Sequence, residues 1–415
     1  MQTEIISVGT EILMGTIVNT NAAYLSRECT KLGYPVCCQQ VVGDTKESII
    51  KAVKTASGRA HLLILTGGLG PTKDDLTKDA VAEALGMKLT EDAHTKERIR
   101  KYLEPVSGKE IPENNWKQAM ILEHGIVLDN ENGTAPGMIV KQENLTVILL
   151  PGPPRELEPM FQSKVVPYLE KEASKVVRSK TVKLCSLLES KVEMKIKDLT
   201  GNQGNPSIAT YAKLGEVDII VTASGKDEQE AEDLIRPVVK ELKKRFGEDI
   251  FTTDASVSLE ECVVKLLKKH ELSFIAAESC TGGLVASTLI NVPGASDVIK
   301  QSFITYSNKA KRKYLDVSKE TLKKYTEYSA ECAKEMARGA AINGGCDVAV
   351  SVTGIAGPGG GTKEKPVGLV YIGCYVSGKV TVKECRFQGN REMIRKKSKV
   401  SALDLVRRCV LENYK

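Results

Sequence analysis

A serine at a predicted strand-to-helix junction is the residue best suited to nucleophilic chemistry in this chain. Ser279 lies in the segment Ala277-Glu278-Ser279-Cys280-Thr281-Gly282-Gly283, directly after an apolar strand predicted at 273–277. We expect this serine to be exposed at the sheet edge, near backbone amides that can form an oxyanion hole. The segment is not the G-x-S-x-G elbow of α/β-hydrolases. Ser279 as a helix N-cap and Cys280 as the nucleophile are the alternatives.

A base for that serine has few histidine candidates. The chain contains only His61, His94, His124 and His270, and only His270 belongs to the same region, at the end of an amphipathic helix. A strand predicted at 304–306 leads into Tyr306-Ser307-Asn308-Lys309-Ala310-Lys311. A desolvated lysine loses its proton and can act as the base, with a tyrosine relaying the proton. A helix start with solvated lysines is the alternative.

Two glycine-rich segments are candidates for binding phosphate. Gly354-Ile355-Ala356-Gly357-Pro358-Gly359-Gly360-Gly361 lacks the G-K-[ST] ending of a Walker A motif, so it predicts no ATP site, but it can wrap a nucleotide monophosphate. Thr66-Gly67-Gly68-Leu69-Gly70-Pro71-Thr72-Lys73-Asp74-Asp75 follows a buried strand, and its glycines allow close approach of a phosphate. Asp74 and Asp75 offer oxygen ligands for a divalent cation. A tight turn capped by Asp75 or Thr77 is the alternative.

Two further loops are predicted to line the same cleft, because ligands of open α/β sheets bind at the carboxyl ends of strands. One is Asn132-Gly133-Thr134-Ala135-Pro136-Gly137. The other is Pro151-Gly152-Pro153-Pro154-Arg155-Glu156, directly after a strand predicted at 146–150. The guanidinium of Arg155 can bind a phosphate with two hydrogen bonds.

Alternating strands and helices must position these loops. Strands are predicted at 5–8, 36–42, 62–65 and 146–150, with a helix from Lys46 that a capping box of Asp44 and Glu47 begins. This order indicates βαβ units and an open parallel sheet. A second α/β layer structure begins near Asp254 and ends in a long helix from Arg391. The predicted fold class is therefore α/β, with two three-layer α/β/α domains at 1–170 and 254–415.

Between them, residues 175–250 predict a small α+β module. Strands are expected at 183–189, 207–212 and 217–224, followed by a charged helix at 227–246. The loop Gly201-Asn202-Gln203-Gly204 has the GxxG form of a KH nucleic-acid clamp, but it carries no basic residue to meet phosphate. A plain turn is the preferred interpretation, and no nucleic-acid partner is expected.

Composition excludes several other classes. The 415 residues carry 59 Lys+Arg and 53 Asp+Glu, a net charge of +6, which is a weak field over this length and does not argue for DNA or an acidic membrane. No apolar run approaches the ~18 residues of a membrane span, and no secretory signal is visible. The eleven cysteines form no CxxC pair, so we expect reduced thiols in a cytoplasmic protein.

The N-terminal motifs together resemble a known family. GTEILMGTIVNTNA, VVGD, TGGLGPTKDD, NGTAPG and PGPPRE occur in the order found in the competence/damage-inducible protein A (CinA) family. The resemblance implies a molybdopterin-binding-like domain similar to a metal-dependent ADP-ribose pyrophosphatase, which gives AMP and ribose 5-phosphate. Glu11, Asn19, Asp44, Asp74 and Asp75 fall on the matching motif positions. The segment NWKQAMILEHG departs from the pattern, with Trp116 and Glu123 where the resemblance predicts a basic residue and a proline.

The C-terminal motifs AESCTGG, PGASD, TYSNKAK, VSVTGIAGPGGGTKEKPVG and GNRE resemble the same family. The resemblance implies a nicotinamide-nucleotide amidohydrolase that converts nicotinamide mononucleotide (NMN) to nicotinate mononucleotide and ammonia. It makes Ser279 the nucleophile and Lys311 and Tyr306 its activators. It adds Ser296, Thr353 and Arg391 as site residues. Lys309 and Arg395 lie close enough in sequence to be confused with Lys311 and Arg391.

The full set of expected binding positions follows from these motifs. The expected metal ligands are Asp74, Asp75, Asp44 and Glu11, holding Mg, Mn or Co in the N-terminal domain, whereas the amidase is expected to need no cofactor. The expected substrate contacts are Ser296, Gly282, Gly283, Gly354, Gly357, Gly67, Gly68, Pro71, Thr72, Asn132, Gly133, Thr134, Gly137 and Arg155. A homodimer is expected from the resemblance. The alternatives are a non-catalytic nucleotide or nucleic-acid binding protein linked to competence, and a molybdopterin-binding protein.

Overall fold

A computed structural model describes residues 2–107, 110–172, 176–201 and 204–414. The chain divides into two compact units. The first comprises Met1–Arg178 and Ser224–Ala231, and the second comprises Ser179–Ala223 and Glu232–Lys415. In the described ranges no helix is both long and apolar enough to cross a membrane.

The first unit alternates strands and helices. Its strands are β1 (Thr3–Val8), β2 (Val36–Val42), β3 (Leu62–Thr66), β4 (Leu89–Glu91), β5 (Met120–Leu122), β6 (Ile126–Leu128), β7 (Gly137–Gln142) and β8 (Leu145–Leu150). Its helices are α1 (Thr10–Leu13), α2 (Thr20–Lys31), α3 (Lys46–Ser57), α4 (Thr77–Leu85), α5 (Ala93–Ser107), α6 (Pro154–Met160) and α7 (Val166–Glu172). A 3-10 turn at Glu113–Ala119 precedes β5, and a π-turn at Phe161–Val165 joins α6 to α7.

Six strands form the main sheet of this unit, in the order β2-β1-β3-β8-β7-β6. Successive residues of a strand point to opposite faces, so Ile6, Leu63 and Leu149 pack with α3 and α4 on one side. Ile5 and Ile64 pack with α2 and α6 on the other side. Both faces of the sheet are therefore covered by helices, which makes three layers.

Two details of the first unit differ from expectation. The sheet is mixed rather than parallel, because only Glu143 and Asn144 separate β7 from β8 and a two-residue loop can join only antiparallel strands. The capping box of Asp44 with Glu47 is wrong. Thr45 is the N-cap of α3, and its side chain accepts from the Ser48 N–H. The Asp44 carboxylate instead accepts from the Thr10 N–H.

A small α+β module lies mostly in the second unit. It contains β9 (Val176–Cys185), α8 (Glu189–Thr200), β10 (Ser207–Lys213), β11 (Glu216–Gly225), α9 (Glu228–Phe246) and β12 (Ile250–Thr252), with the sheet order β10-β11-β9-β12. The strand predicted at 183–189 ends early, at Cys185. Ser186 has a left-handed φ of 62°, which turns the chain out of the sheet before α8 begins. Asn202 and Gln203 of the GxxG loop lie outside the described residues.

The rest of the second unit is an α/β layer structure. Its helices are α10 (Leu259–Lys269), α11 (Leu284–Ile290), α12 (Asn308–Leu315), α13 (Lys319–Tyr325), α14 (Ala330–Gly344) and α15 (Arg391–Asn413). Its strands are β13 (Phe274–Glu278), β14 (Phe303–Ile304), β15 (Val348–Gly354), β16 (Leu369–Val376) and β17 (Lys379–Arg386), in the sheet order β14-β13-β15-β16-β17. Strands β14, β13 and β15 are parallel, and β16 and β17 are antiparallel additions.

Helices cover both faces of this sheet as well. Residues of α10, α11 and α15 pack with Ala276 and Val350 on one face. Residues of α12 and α14 pack with Ile275, Ala277 and Ala349 on the other face. The predicted fold class, two three-layer α/β/α structures with a KH-like module between them in the sequence, is confirmed.

Candidate active sites

Ser279 follows β13 directly, at the carboxyl end of the C-terminal sheet. Its N–H donates to the carbonyl of Val352 at 2.9 Å, and the residue is only 6% exposed. The expectation of an exposed serine is wrong, because β13 lies between two other strands instead of at the edge. The N-cap alternative is also wrong. Helix α11 begins at Leu284, and its N-cap is Gly283.

Glu278 has a role that the motif alone did not reveal. Its carboxylate is fully buried and accepts hydrogen bonds from the N–H groups of Gly283 at 2.9 Å, Val285 at 3.1 Å and Ala286 at 2.9 Å. These are N–H groups that a helix start cannot satisfy by itself. The carboxylate thus anchors the turn that carries Ser279 to α11. Because Glu278 is six residues ahead of the helix, the usual capping patterns do not identify it.

Lys311 places an amine next to Ser279 that can serve as its base. Its Nζ lies 3.0 Å from the Ser279 Oγ and donates to the Thr305 carbonyl at 2.9 Å. The residue is 1% exposed, and burial lowers the pKa of its amine below the ordinary value. Lys309 is exposed. Of the two predicted lysines, Lys311 is therefore the one that the structure brings to the serine.

Cys280 is poorly suited to be the nucleophile. Burial raises the pKa of its thiol to about 11, so the thiolate is scarce near neutral pH. Cys280 is 6% exposed, and the neighbouring Lys311 opposes this rise without overcoming it. The thiol therefore behaves as a small buried apolar group, which favours the hydroxyl of Ser279 over it.

Tyr306 and Arg391 form a hydrogen bond with each other that does not involve Ser279 or Lys311. The Arg391 guanidinium donates to the Tyr306 hydroxyl at 3.0 Å and to the Gly357 carbonyl at 2.7 Å. Arg391 thus joins the segment after β14 to the glycine-rich loop after β15. Tyr306 is 63% exposed, and within the described ranges it makes no hydrogen bond to Ser279 or Lys311. Its expected role as a proton relay stays a prediction.

The remaining predicted residues of this domain differ in burial. Thr353 is fully buried, and its hydroxyl donates to the carbonyl of Glu327 at 2.7 Å. At Gly354 a Cβ atom would lie 2.5 Å from the Leu369 carbonyl oxygen, so only glycine fits between these strands. Ser296 is exposed in a 3-10 turn. In the part of the chain that is described, no hydrogen bond joins Ser296 to Ser279.

The described contacts of the histidines are with residues other than Ser279. His270 is the C-cap of α10, and its ring centroid lies 5.6 Å from that of Tyr414. His61 accepts from the Gln2 N–H, and His94 pairs with Asp129. Among the described residues, no histidine hydrogen-bonds Ser279. This arrangement fits the expectation that the base is not a histidine.

A cleft of about 730 Å³ lies in the first unit, at the carboxyl ends of β1, β3 and β8. Most of the predicted N-terminal site residues line it: Glu11, Asn19, Asp44, Gly67, Gly68, Pro71, Asp74, Asp75, Asn132, Gly133, Thr134 and Arg155. Thr72 and Gly137 are not among its lining residues. Motifs that are up to 144 positions apart in sequence thus face one cavity, as ligand sites of α/β sheets do.

The carboxylates of this cleft are not gathered into one cluster. Asp44 accepts from the Thr10 N–H at 2.7 Å, and Asp75 accepts from the Thr72 N–H at 2.8 Å. A hydrogen bond with Thr72 lowers the pKa of Asp74, so this exposed carboxyl is ionised at neutral pH. Among the described residues no group of three or more Asp, Glu, His or Cys side chains can hold a metal. One or two carboxylates nonetheless suffice for Mg²⁺ when substrate phosphates supply further ligands.

The segment that departs from the family pattern supports the glycine-rich loop after β3. Lys117 donates to the Asp75 carbonyl at 2.6 Å, and Asn114 donates to the Pro71 carbonyl at 3.2 Å. The buried Lys78, at the start of α4, donates to the carbonyls of Gln118 at 3.0 Å and of Lys117 at 2.9 Å. Burial lowers the pKa of Lys78 to about 8. These contacts are long-range in sequence, and no local pattern predicts them.

Three family models match successive parts of the chain. Residues 4–171 match the family described as a probable molybdopterin binding domain, residues 179–252 match the damage-inducible protein CinA KH domain, and residues 256–410 match the CinA C-terminal domain. A solved structure of a competence/damage inducible protein from Agrobacterium tumefaciens is 41% identical. It covers 36% of this chain and 91% of its own, with a TM-score of 0.35.

Full-length relatives are similar over nearly the whole chain. A CinA-like protein of Dictyoglomus turgidum is 48% identical over 411 residues, which are 99% of this chain and 100% of the relative. A CinA-like protein of Kosmotoga olearia is 49% identical over 413 residues, which are 99% of each chain. With this identity over the full length, the chain belongs to the CinA family of competence/damage-inducible proteins.

Proposed function

We propose that the C-terminal domain hydrolyses the amide of NMN to give nicotinate mononucleotide and ammonia. The observation that carries this proposal is the 3.0 Å contact between the Lys311 Nζ and the Ser279 Oγ, in a place where both residues are buried. A buried amine with a lowered pKa next to a hydroxyl is the arrangement that activates a serine nucleophile without histidine. The identity of the substrate comes from the family resemblance.

In the proposed reaction, Lys311 transfers the protons of both half-reactions. Neutral Lys311 takes the proton of Ser279 as the Oγ attacks the amide carbon of NMN. The amine then returns this proton to the leaving nitrogen, so ammonia departs and an ester on Ser279 remains. A water molecule, losing its proton to Lys311, attacks the ester, and Lys311 returns that proton to the Ser279 Oγ as the ester bond breaks and nicotinate mononucleotide leaves. The N–H groups and Arg391 around the loop at 354–361 are the expected contacts of the substrate phosphate.

The proposed base fixes the sign of the pH dependence. Lys311 acts only when neutral, and burial lowers the pKa of its amine from 10.5. We therefore expect kcat/KM for NMN to fall as the pH drops through this lowered pKa, because the amine becomes protonated. A pH profile of ammonia release measures this limb. A rate that instead rises as the pH falls would contradict a lysine base.

For the N-terminal domain we propose metal-dependent cleavage of ADP-ribose to AMP and ribose 5-phosphate. The cleft at the carboxyl ends of three strands supports this proposal, because it combines glycine-rich turns for a diphosphate with carboxylate side chains. Asp74 and Asp75 are the residues that would hold a divalent ion, which when bound neutralises diphosphate charge. The peptide N–H groups of the turn after β3 would orient the phosphates.

Removal of divalent ions should separate the two proposed activities. In excess EDTA we expect ADP-ribose cleavage to stop and NMN deamidation to continue, because Ser279 and Lys311 need no metal. Both products are measured by chromatography on the same protein sample, and activity restored by Mg²⁺ or Mn²⁺ is the control. Deamidation that also stops in EDTA would contradict the metal-free mechanism.

The alternatives have different readouts. A non-catalytic nucleic-acid binding protein linked to competence should bind single-stranded DNA with an affinity that falls steeply with salt. A molybdopterin-binding protein should bind a pterin in the N-terminal cleft without cleaving ADP-ribose. We expect neither result. A homodimer remains our expectation for the assembly, to be measured by light scattering.

A further inference from the structure

An arginine of α15 holds the turn that carries Ser279 through two hydrogen bonds. Arg395 donates through Nε to the Cys280 carbonyl at 3.1 Å and through Nη2 to the Thr281 carbonyl at 2.7 Å. We propose that Arg395 is a positioning residue, which orients this turn so that the N–H groups of Cys280 and Thr281 form the oxyanion hole. The inference rests on the proposed amidase function and names how its transition state is stabilised.

Peptide planarity converts those two contacts into an orientation. In a trans peptide the carbonyl of one residue and the N–H of the next point in opposite directions. Because the Cys280 carbonyl points to Arg395, the Thr281 N–H points away from Arg395. The Thr281 carbonyl likewise sends the Gly282 N–H the other way, where it donates to the Ser279 carbonyl at 3.1 Å. Arg395 thus fixes the peptide plane that carries the Thr281 N–H, and the Gly282 N–H, through its bond to the Ser279 carbonyl, holds the plane that carries the Cys280 N–H.

The N–H groups of the turn fall into two sets. Those of Gly282 and Gly283 are used, by the Ser279 carbonyl and the Glu278 carboxylate. Those of Cys280 and Thr281 have no backbone or side-chain acceptor in the described part of the chain, apart from the thiol of Cys280 itself. Two unused donors beside a nucleophile are what an oxyanion hole requires, and one of them belongs to the residue directly after the serine.

Two residue types suit this turn: a glycine for its backbone conformation and an arginine for the contact. Gly282 has a left-handed φ of 61°, and a Cβ atom at this position would lie 3.5 Å from the Arg395 Nη2. Arginine is suited to the task, because its planar fork holds two carbonyls in a fixed relation, whereas lysine offers a single ammonium group. Arg395 also donates only to backbone carbonyls among its described contacts, which distinguishes it from Arg391 with its tyrosine partner.

The test compares a transition-state mimic with a ground-state ligand. The aldehyde analogue of NMN, with a 3-formyl group in place of the amide, accepts the Ser279 Oγ at its carbonyl carbon. The carbonyl electron pair becomes an alkoxide, and the proton of the serine passes to Lys311. We expect R395M in the full-length protein to lower kcat for NMN and the affinity for the aldehyde by about 10²-fold, the usual cost of a lost oxyanion donor. The affinity for nicotinate mononucleotide should stay unchanged.

Two further variants keep the test decisive. R395K retains the charge and one hydrogen bond, so its kcat should lie between those of R395M and the unaltered protein. If R395M does not fold, we expect R395K alone to show a lowered kcat and a lowered affinity for the aldehyde, with unchanged affinity for nicotinate mononucleotide. K396M removes an exposed cation of the same helix, which pairs with Glu392, and should change neither ligand affinity nor kcat. Circular dichroism shows whether each variant is folded.

The possible results test the role of Arg395 and the proposed amidase function separately. Equal losses of affinity for the aldehyde and for nicotinate mononucleotide in R395M, with kcat unchanged, would make Arg395 a substrate-binding cation and overturn the inference. Unchanged aldehyde affinity in an active R395M would also overturn it. No ammonia release from NMN by the unaltered protein would overturn the proposed function, and the inference with it.

Discussion

Replacing Ser279 with alanine is expected to abolish NMN deamidation, and replacing Lys311 with methionine to lower kcat by ~10²-fold or more. The alanine variant lacks the oxygen that would bond to the amide carbon. The methionine variant keeps the approximate length and the apolar character of the buried side chain. It lacks the amine that lies 3.0 Å from the Ser279 Oγ and would take the serine proton. Steady-state ammonia release from NMN measures both effects.

Controls for this prediction use the rival nucleophile and the rival base. C280A should retain most of the activity, because the buried thiol has a pKa of about 11 and is almost wholly protonated. H270A should be as active as the unaltered protein, since His270 ends α10 beside Tyr414. Activity that survives K311M but is lost in H270A would show that the base has been misassigned.

Replacing Asp74 with alanine is expected to abolish metal-dependent ADP-ribose cleavage and to leave NMN deamidation near its normal rate. Asp74 lines the N-terminal cleft, and a hydrogen bond with Thr72 keeps its pKa low, so the variant removes an ionised carboxylate where the diphosphate and its metal would bind. The two activities are separable because their motifs belong to different compact units.

The matched control is E170A, which removes an exposed carboxylate of α7 that is not among the lining residues of the cleft. Both activities should be unchanged in this variant. Deamidation that falls in D74A together with ADP-ribose cleavage would contradict the independence of the two sites. Cleavage that persists in D74A at saturating metal would remove Asp74 from the set of metal ligands.

Local patterns predicted most of the secondary structure. Strand β2 was expected at its observed bounds, and β3 and β8 differ from expectation by one residue. The parallel arrangement of the first sheet was only partly right, because β7 had not been recognised as a strand and its hairpin with β8 adds an antiparallel pair. The capping error at Asp44 has a different origin, since the Thr10 N–H that binds this carboxylate is 34 residues away in the sequence.

The candidate amidase site depends even more on contacts between residues that are far apart in the sequence. Strand and helix periodicity placed Ser279 at the end of a strand, and the family motifs paired it with Lys311. Neither could show that the serine is buried, because that depends on the strands on both sides of β13. The support from Arg395 comes from 115 residues away. The motifs therefore predict the proposed reacting residues, whereas the groups that orient them are seen only in the structure.

The most direct test of the central proposal is to incubate the purified full-length protein with NMN and to measure ammonia and nicotinate mononucleotide together. The proposal predicts equal amounts of the two products from the unaltered protein, with no added metal, and neither product from S279A. If the unaltered protein forms neither product, or if S279A forms both at the same rate, the assignment of Ser279 and Lys311 as an amidase pair is wrong.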